Sequence, residues 1–149
     1  MEETRIVSET PPMDAVVRLY VAAALRRPVR DRERMATLFA HSNVVRAAWQ
    51  GGTLVGLLRG WTDHAFDGFV SDLAIHPDLQ RSGLGKRLLA QLSEYGPGVQ
   101  WTLLASPLAP EYYQRLGWNE TSHARLLSRS DWNPGTPEAW RDAHQDLLI

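Results

Sequence analysis

Cysteine is absent from the 149 residues, which excludes disulfides, thiolate metal sites and a cysteine nucleophile. No apolar run approaches the ~20 residues that span a bilayer. The stretch Met1-Glu2-Glu3-Thr4-Arg5 has no apolar core of the kind a secretory signal carries. No membrane partner and a cytoplasmic location are the resulting expectations. An excess of either charge is missing as well. Sixteen Lys and Arg stand against seventeen Asp and Glu, for a formal charge of −1, so no global attraction draws the chain to nucleic acid. His41, His76, His123 and His144 are isolated, and no spacing of ligating residues suggests a metal. What remains is 44% hydrophobic and 22% charged, the balance of an ordinary globular protein. The length fits one compact domain with its own core.

Strand and helix patterns alternate along the chain. Thr4 to Ser8 reads as a strand. Thr10 followed by Pro11 predicts a helix start, with Met13, Val16, Val17, Tyr20 and Ala24 on one apolar face. Residues 30–40 read as a second, more charged helix. Val44 to Trp49 and Thr53 to Trp61 are apolar strands joined by Gly51-Gly52, a two-residue hairpin signal. Phe69 to Ile75 is apolar on both faces, which predicts a central strand. Gly83 to Tyr95 is the clearest helix, and Val99 to Ala105 alternates as another strand. A short helix over 110–116 ends at Gly117, and one or two closing strands are expected within 118–129. Thr136-Pro137-Glu138 predicts a cap for a last helix over 137–147. The domain is therefore expected over 1–129, with 130–149 as a tail that packs on it, covers its functional site or pairs with a partner. Antiparallel strands first and βα units later make the class mixed α/β with one sheet.

The segment from Leu73 to Lys86 carries the chemistry. Its strand, Leu73-Ala74-Ile75, runs through a loop, Gln80-Arg81-Ser82, directly into a helix that opens Gly83-Leu84-Gly85-Lys86. The first N–H groups of a helix have no internal acceptor, and the helix dipole adds partial positive charge there. Glycines at 83 and 85 remove Cβ atoms from the approach, while Arg81 and Lys86 add charge. The arrangement predicts a seat for a phosphate or diphosphate. It is neither a Walker loop nor a dinucleotide fingerprint, since Leu88 stands where the latter needs its third glycine.

Gln80-Arg81-Ser82-Gly83-Leu84-Gly85 resembles the Gln/Arg-x-x-Gly-x-Gly/Ala pattern of the GNAT acyltransferases. Downstream, Tyr113-Gln114-Arg115-Leu116-Gly117-Trp118 is similar to that superfamily's Tyr-x-x-x-Gly-Phe/Trp motif. One helix and one strand separate the two, as in the family. The resemblance implies a central, mostly antiparallel sheet with a splayed strand pair, flanked by helices. It implies acetyl-CoA as acyl donor, held by residues 73–75 and 80–86. It places the Leu73 N–H at the thioester oxygen, the Ile75 backbone on the pantetheine arm, and Tyr113 as the acid that protonates the departing thiolate. Ser106 stands where many members carry a cofactor-contacting asparagine, with a shorter reach. Many members are homodimers, which makes a homodimer one implied arrangement.

The amine acceptor of such a reaction must be neutral, so a base or a water chain is needed. Asp72 alternates with Leu73 on the central strand, and burial there would raise its pKa toward a useful range. Its other reading is a structural carboxylate that caps a loop or pairs with arginine. Asp63, His64 and Glu111 are secondary candidates. The function expected is N-acetyl transfer to an amine of a small molecule or peptide by direct attack. A non-catalytic acyl-CoA-binding domain and a protein-interaction module are the alternatives.

Overall fold

The structure, a computed structural model, describes residues 3–105 and 111–148. Five strands form one sheet: β1 (Thr4–Val7), β2 (Val44–Gln50), β3 (Thr53–Thr62), β4 (Asp67–Ile75) and β5 (Gln100–Leu103), in spatial order 1-2-3-4-5. The first four strands are antiparallel neighbours and β5 runs parallel to β4. That parallel step needs a crossover, which α3 (Leu84–Ala90) and a following 3-10 turn supply. Helices α1 (Met13–Ala22) and α2 (Arg32–Ala40) connect β1 to β2.

Local chemistry sets the helix ends. α1 begins at Met13, two residues later than the Thr10-Pro11 signal predicts. Pro11 precedes Pro12, and a residue before proline is pushed out of the helical region, so the helix starts only after both. α2 begins after Asp31, whose carboxylate accepts the Arg34 N–H at 3.0 Å.

Each face of the sheet carries its own core. On one side Val16, Val17 and Tyr20 of α1 and Met35 of α2 pack on Ala47, Leu57 and Ala74. On the other, Leu84, Leu88 and Leu89 of α3 meet Val44, Ala48, Val55 and Leu58. Full burial of such an aliphatic side chain stabilises by about 1.5–3 kcal/mol. Leu73 and Ile75 pack at the margin of this second core.

The β3–β4 register contains the feature that shapes the site. Arg59 faces Asp72 and Gly60 faces Val70, so Ser71 has no opposite residue and forms a β-bulge. The β4–β5 ladder ends at the same place, with Val70 opposite Leu103. Beyond it, Asp72 to Ile75 stay paired with β3, and the β4–β5 ladder gives them no partner. The splayed strand pair expected of this fold is present.

The closing strands expected within 118–129 are absent: residues 118–136 contain no helix or strand. Leu126 and Leu127 are exposed there, and neither joins a core. The segment's remaining residues are largely polar, so it has no continuous apolar face to bury against the sheet.

The tail returns to the first helices. α4 (Tyr112–Arg115) is followed at the end of the chain by α5 (Pro137–Ala143), which Thr136 caps through the Ala139 N–H at 3.2 Å. Trp140 is only 5% exposed and joins the core beside α1 and α2. Arg30 pairs with Asp146 at 2.7 Å, Arg34 with Asp131 at 3.1 Å, and Arg26 donates to the Gly135 carbonyl. Replacing a buried tryptophan by alanine costs about 3–5 kcal/mol. Trp140→Ala should therefore shift the urea midpoint of the whole domain as one transition. A separate early transition, with the main one unmoved, would mean the tail is not part of the cooperative unit.

Candidate active site

The gap beside β4 presents backbone groups in a defined direction. The His76 N–H donates to the Val55 carbonyl at 2.8 Å, which makes these two residues a hydrogen-bonded pair. Backbone polar groups alternate sides along an antiparallel strand. Ala74 and Asp72 therefore turn their N–H and C=O toward β3. Leu73 and Ile75 turn theirs toward β5, where β5 no longer pairs with β4. Ala74 contributes a side chain to the core beneath, 1% exposed.

The loop after β4 delivers the chain to α3 at the same end. Pro77–Leu79 form a 3-10 turn capped by His76, and Gln80 leaves it extended. Arg81 and Gly83 both take left-handed backbone, with φ of 65° and 88°. Gly83 has no atom within 4 Å of where a Cβ would stand, so the mouth of the helix is open at that point. Among the described residues, the N–H groups of Gly83, Gly85 and Lys86 have no acceptor, whereas that of Leu84 goes to the Ser82 hydroxyl at 3.3 Å. Gln80, Arg81, Ser82 and Lys86 are exposed around this mouth.

Gly85 has a second role that its spacing does not reveal. A Cβ there would stand 2.2 Å from the Tyr112 hydroxyl, so the glycine makes room for that phenol. Tyr112 thus closes the back of the mouth, and burial raises its pKa.

The Tyr-x-x-x-Gly-Trp motif has a local physical cause. Gly117, at φ 90°, follows Leu116, the C-cap of α4, and its N–H donates to the Gln114 carbonyl at 3.1 Å. The Trp118 N–H reaches back to the Tyr113 carbonyl at 3.0 Å. These two bonds are a Schellman cap, and the apolar contact that accompanies it is Tyr113 against Trp118, edge to face with centroids 5.9 Å apart. The tyrosine is therefore fixed by the turn as well as by packing. Burial pushes its phenol up to about 12, with a smaller contribution from Tyr112, so it stays protonated at neutral pH. Ser106 lies outside the described residues.

Asp72 departs from the expectation of a raised pKa. Burial does push the carboxyl up, but the Arg27 and Arg59 guanidiniums and the hydrogen bonds of Arg59 and Tyr20 outweigh it, holding Asp72 below the usual carboxylate range. Its Oδ2 accepts from the Tyr20 hydroxyl at 2.5 Å and from Arg59 Nε at 2.6 Å. Its Oδ1 accepts from Arg27 Nε at 2.8 Å and Ser71 Oγ at 3.1 Å. A carboxylate so occupied is a poor proton acceptor; the arginine-paired alternative describes it better. Tyr20, Arg27 and Arg59 are the site-adjacent residues that sequence patterns miss, because each lies far along the chain from Asp72. The one available signal was a lone arginine, Arg59, in the apolar strand opposite.

The secondary base candidates stand elsewhere. Asp63 caps the β3–β4 turn, accepting from the N–H groups of Ala65, Phe66 and Asp67, which lowers its pKa. His64 lies in the same turn against Tyr95. That turn precedes β4, and Leu73 is about 20 Å away at ~3.3 Å per strand residue. Glu111 is exposed at the start of α4.

A sheet opened beside a helix mouth, with a capped tyrosine following the next strand, defines the acyl-CoA N-acyltransferase class of fold. The chain matches the acetyltransferase (GNAT) domain family over residues 15–129 and belongs to that family. It is 38% identical over 68 residues to an uncharacterized N-acetyltransferase ycf52 of Gracilaria tenuistipitata var. liui, covering 44% of this chain and 37% of that protein. Against the uncharacterized N-acetyltransferase ycf52 of Porphyra purpurea it is 30% identical over 101 residues, 63% of this chain and 56% of the relative. The chain thus spans about half, or less, of the length of these curated relatives. Among solved structures it superposes on a protein of unknown function from methicillin-resistant Staphylococcus aureus, with a TM-score of 0.74, 16% identity, and coverage of 87% and 100% of the two chains. It also superposes on the aminoglycoside N-acetyltransferase AAC(6')-Iy in complex with CoA, at 0.67 and 15% identity, covering 89% and 97%. At these identities the likeness is one of fold.

The raised phenol of Tyr113 gives a pH dependence with a definite sign. A tyrosine ionises near 10 when unperturbed, and Tyr113 ionises near 12 when folded. Its contribution to stability is complete below pH 10 and is lost as pH rises from 10 to 12. An ultraviolet phenolate titration of the native protein should contain more than one late-ionising phenol, Tyr20 among them, and Tyr113→Phe should reduce that late amplitude by one phenol. An unchanged late titration in that variant would place the raised phenol elsewhere.

Proposed function

We propose that the protein transfers an acetyl group from acetyl-CoA to a primary amine of a small molecule or peptide by direct attack in a ternary complex. The observation that carries this reading is a coincidence at one end of β4. Among the described residues, the backbone groups of Leu73 and Ile75 on the β5 side and the N–H groups of Gly83, Gly85 and Lys86, a short loop away, have no partner. The residues present fit a thioester carrier with a charged diphosphate: a dipole-bearing backbone mouth for the anion and an amide-bearing strand edge for an amide-rich arm. Acetyl-CoA, when bound, supplies an activated acyl carbonyl and a thiol leaving group.

The chain's own groups then divide the work. Arg81 and Lys86 add positive charge around the mouth. The Ile75 backbone aligns the arm along β4. The Leu73 N–H is held where it can stabilise negative charge developing on the acyl oxygen, and one such fixed donor is worth about 3–4 kcal/mol in the transition state. Tyr113, kept protonated by burial, donates toward the thiolate as it departs. With Asp72 ion-paired and the β3–β4 turn distant, the acceptor enters as the free amine from solution. Ser106 is retained as a proposed cofactor contact on the family resemblance alone.

Two variants test the reading. Gly83→Asp places a carboxylate in open space at a left-handed position that aspartate tolerates, so the fold should survive. Calorimetry should find acetyl-CoA binding in the wild type and none in this variant; equal affinity in both would refute the helix-mouth site. Tyr113→Phe should lower kcat by about 10²–10⁴-fold and leave acetyl-CoA affinity close to normal. The assay is thiol release with polyamines, arylalkylamines, amino acids and peptide N-termini as acceptors. Unaltered turnover in Tyr113→Phe would remove it as the acid.

A further inference from the structure

The strand pair opens at Ser71, and that residue is held by two arginines, one from the α1–α2 connection and one from β3. Its carbonyl accepts from Arg27 Nη2 at 2.7 Å, and its hydroxyl accepts from Arg59 Nη2 at 2.9 Å. The next residue, Asp72, is 0% exposed and receives Tyr20, Arg27 and Arg59 together. Helix α1, the α1–α2 connection and strand β3 therefore all converge on two consecutive residues of β4. They do so one step past the last β4–β5 pair, Val70 with Leu103.

Buried ion pairs add little net stability, because desolvation of the charges offsets their attraction. An apolar cluster of the same volume would serve the core as well. What the polar cluster adds is direction. A trans peptide places the Leu73 N–H antiparallel to the Asp72 C=O, across one rigid plane. The Asp72 carbonyl faces β3, so anchoring Asp72 aims the Leu73 N–H into the gap. The bulge is where the strand could otherwise rotate or re-register, since a one-residue slip there would turn that N–H toward β3. The cluster also holds two guanidiniums to one carboxylate, a net positive charge one residue from that amide.

We propose that Asp72 is a positioning residue which, with Arg27 and Arg59, locks the Ser71 bulge and so aims the Leu73 N–H at the acyl oxygen. This rests on the acetyl-transfer reading for its catalytic consequence, though the geometric part can be read in the ligand-free protein.

Two variants probe it. Arg27→Gln removes the bonds to Asp72 and to the Ser71 carbonyl from a partly exposed side chain on a connection, where the fold tolerates change. Asp72→Asn removes the charge while keeping the shape; should it fail to fold, Arg27→Gln alone decides. In ligand-free protein, the amide resonances of Ser71 to Leu73 should shift and exchange faster in Arg27→Gln, with those of Gly83 and Gly85 unmoved. With acetyl-CoA and the best acceptor of the thiol-release screen, kcat should fall about 10–100-fold while calorimetric acetyl-CoA affinity stays within about threefold. The shape of the pH–rate profile should be unchanged in both variants.

Unmoved Ser71–Leu73 amides, or full kcat, would overturn the proposal. So would a parallel loss of acetyl-CoA affinity, which would indicate general loosening. Loss of an ionisation from the profile of Asp72→Asn would make that residue a base instead. A wild type that binds no acetyl-CoA defeats the acetyl-transfer reading, and the amide shifts still judge the bulge.

Discussion

One strand must serve two neighbours that end at different places, and the architecture of the site follows from that. β4 stays bonded to β3 along its length but to β5 only as far as Val70. Among the described residues, the backbone N–H and C=O groups of Leu73 and Ile75 on the β5 side are polar groups without a sheet partner. A sheet leaves such a row open only when something holds the strands apart. Here the bulge at Ser71 bends β4 just where the β4–β5 ladder stops, while α3 packs on the face of the sheet and leaves the edge open.

The charged cluster under the bulge is a case where burial and function point the same way without the residue doing chemistry. Asp72 lies in the core, has a perturbed pKa and is adjacent to the reacting edge, all features of a catalytic carboxylate. The direction of the perturbation separates the two cases. A general base near neutrality needs desolvation to win; at Asp72 the two guanidiniums win. Tyr20 responds oppositely, its phenol raised by burial and by the carboxylate it donates to. The cluster is thereby fixed in one protonation state over a wide pH range.

Much of this was legible in the residues because the signals were local. Gly51-Gly52 marks the β2–β3 hairpin, and the run from Gln80 to Lys86 marks the strand-to-helix mouth. Gly117 followed by Trp118 marks a helix stop whose geometry explains the motif's spacing. Elements set by distant partners were not legible. Asp72 could be seen to be misplaced in an apolar strand, but its partners lie from 13 to 52 residues away in sequence. The start of α1 was misjudged because one proline favours a helix start while two in succession delay it. Residues 118–129 carry some strand-like composition, yet a strand exists only where an edge accepts it, and composition says nothing of that edge.

The connection between α1 and α2 faces two ways. Inward, Arg27 grips the bulge; outward, Arg26 and Arg30 of the connection, with Arg34 in the first turn of α2, fasten the C-terminal segment. The outer contacts are solvent-exposed and weaken as salt screens them, whereas the inner ones are sheltered. The last helix and the opened edge of the sheet therefore share one support, a short run of arginines between residues 26 and 34.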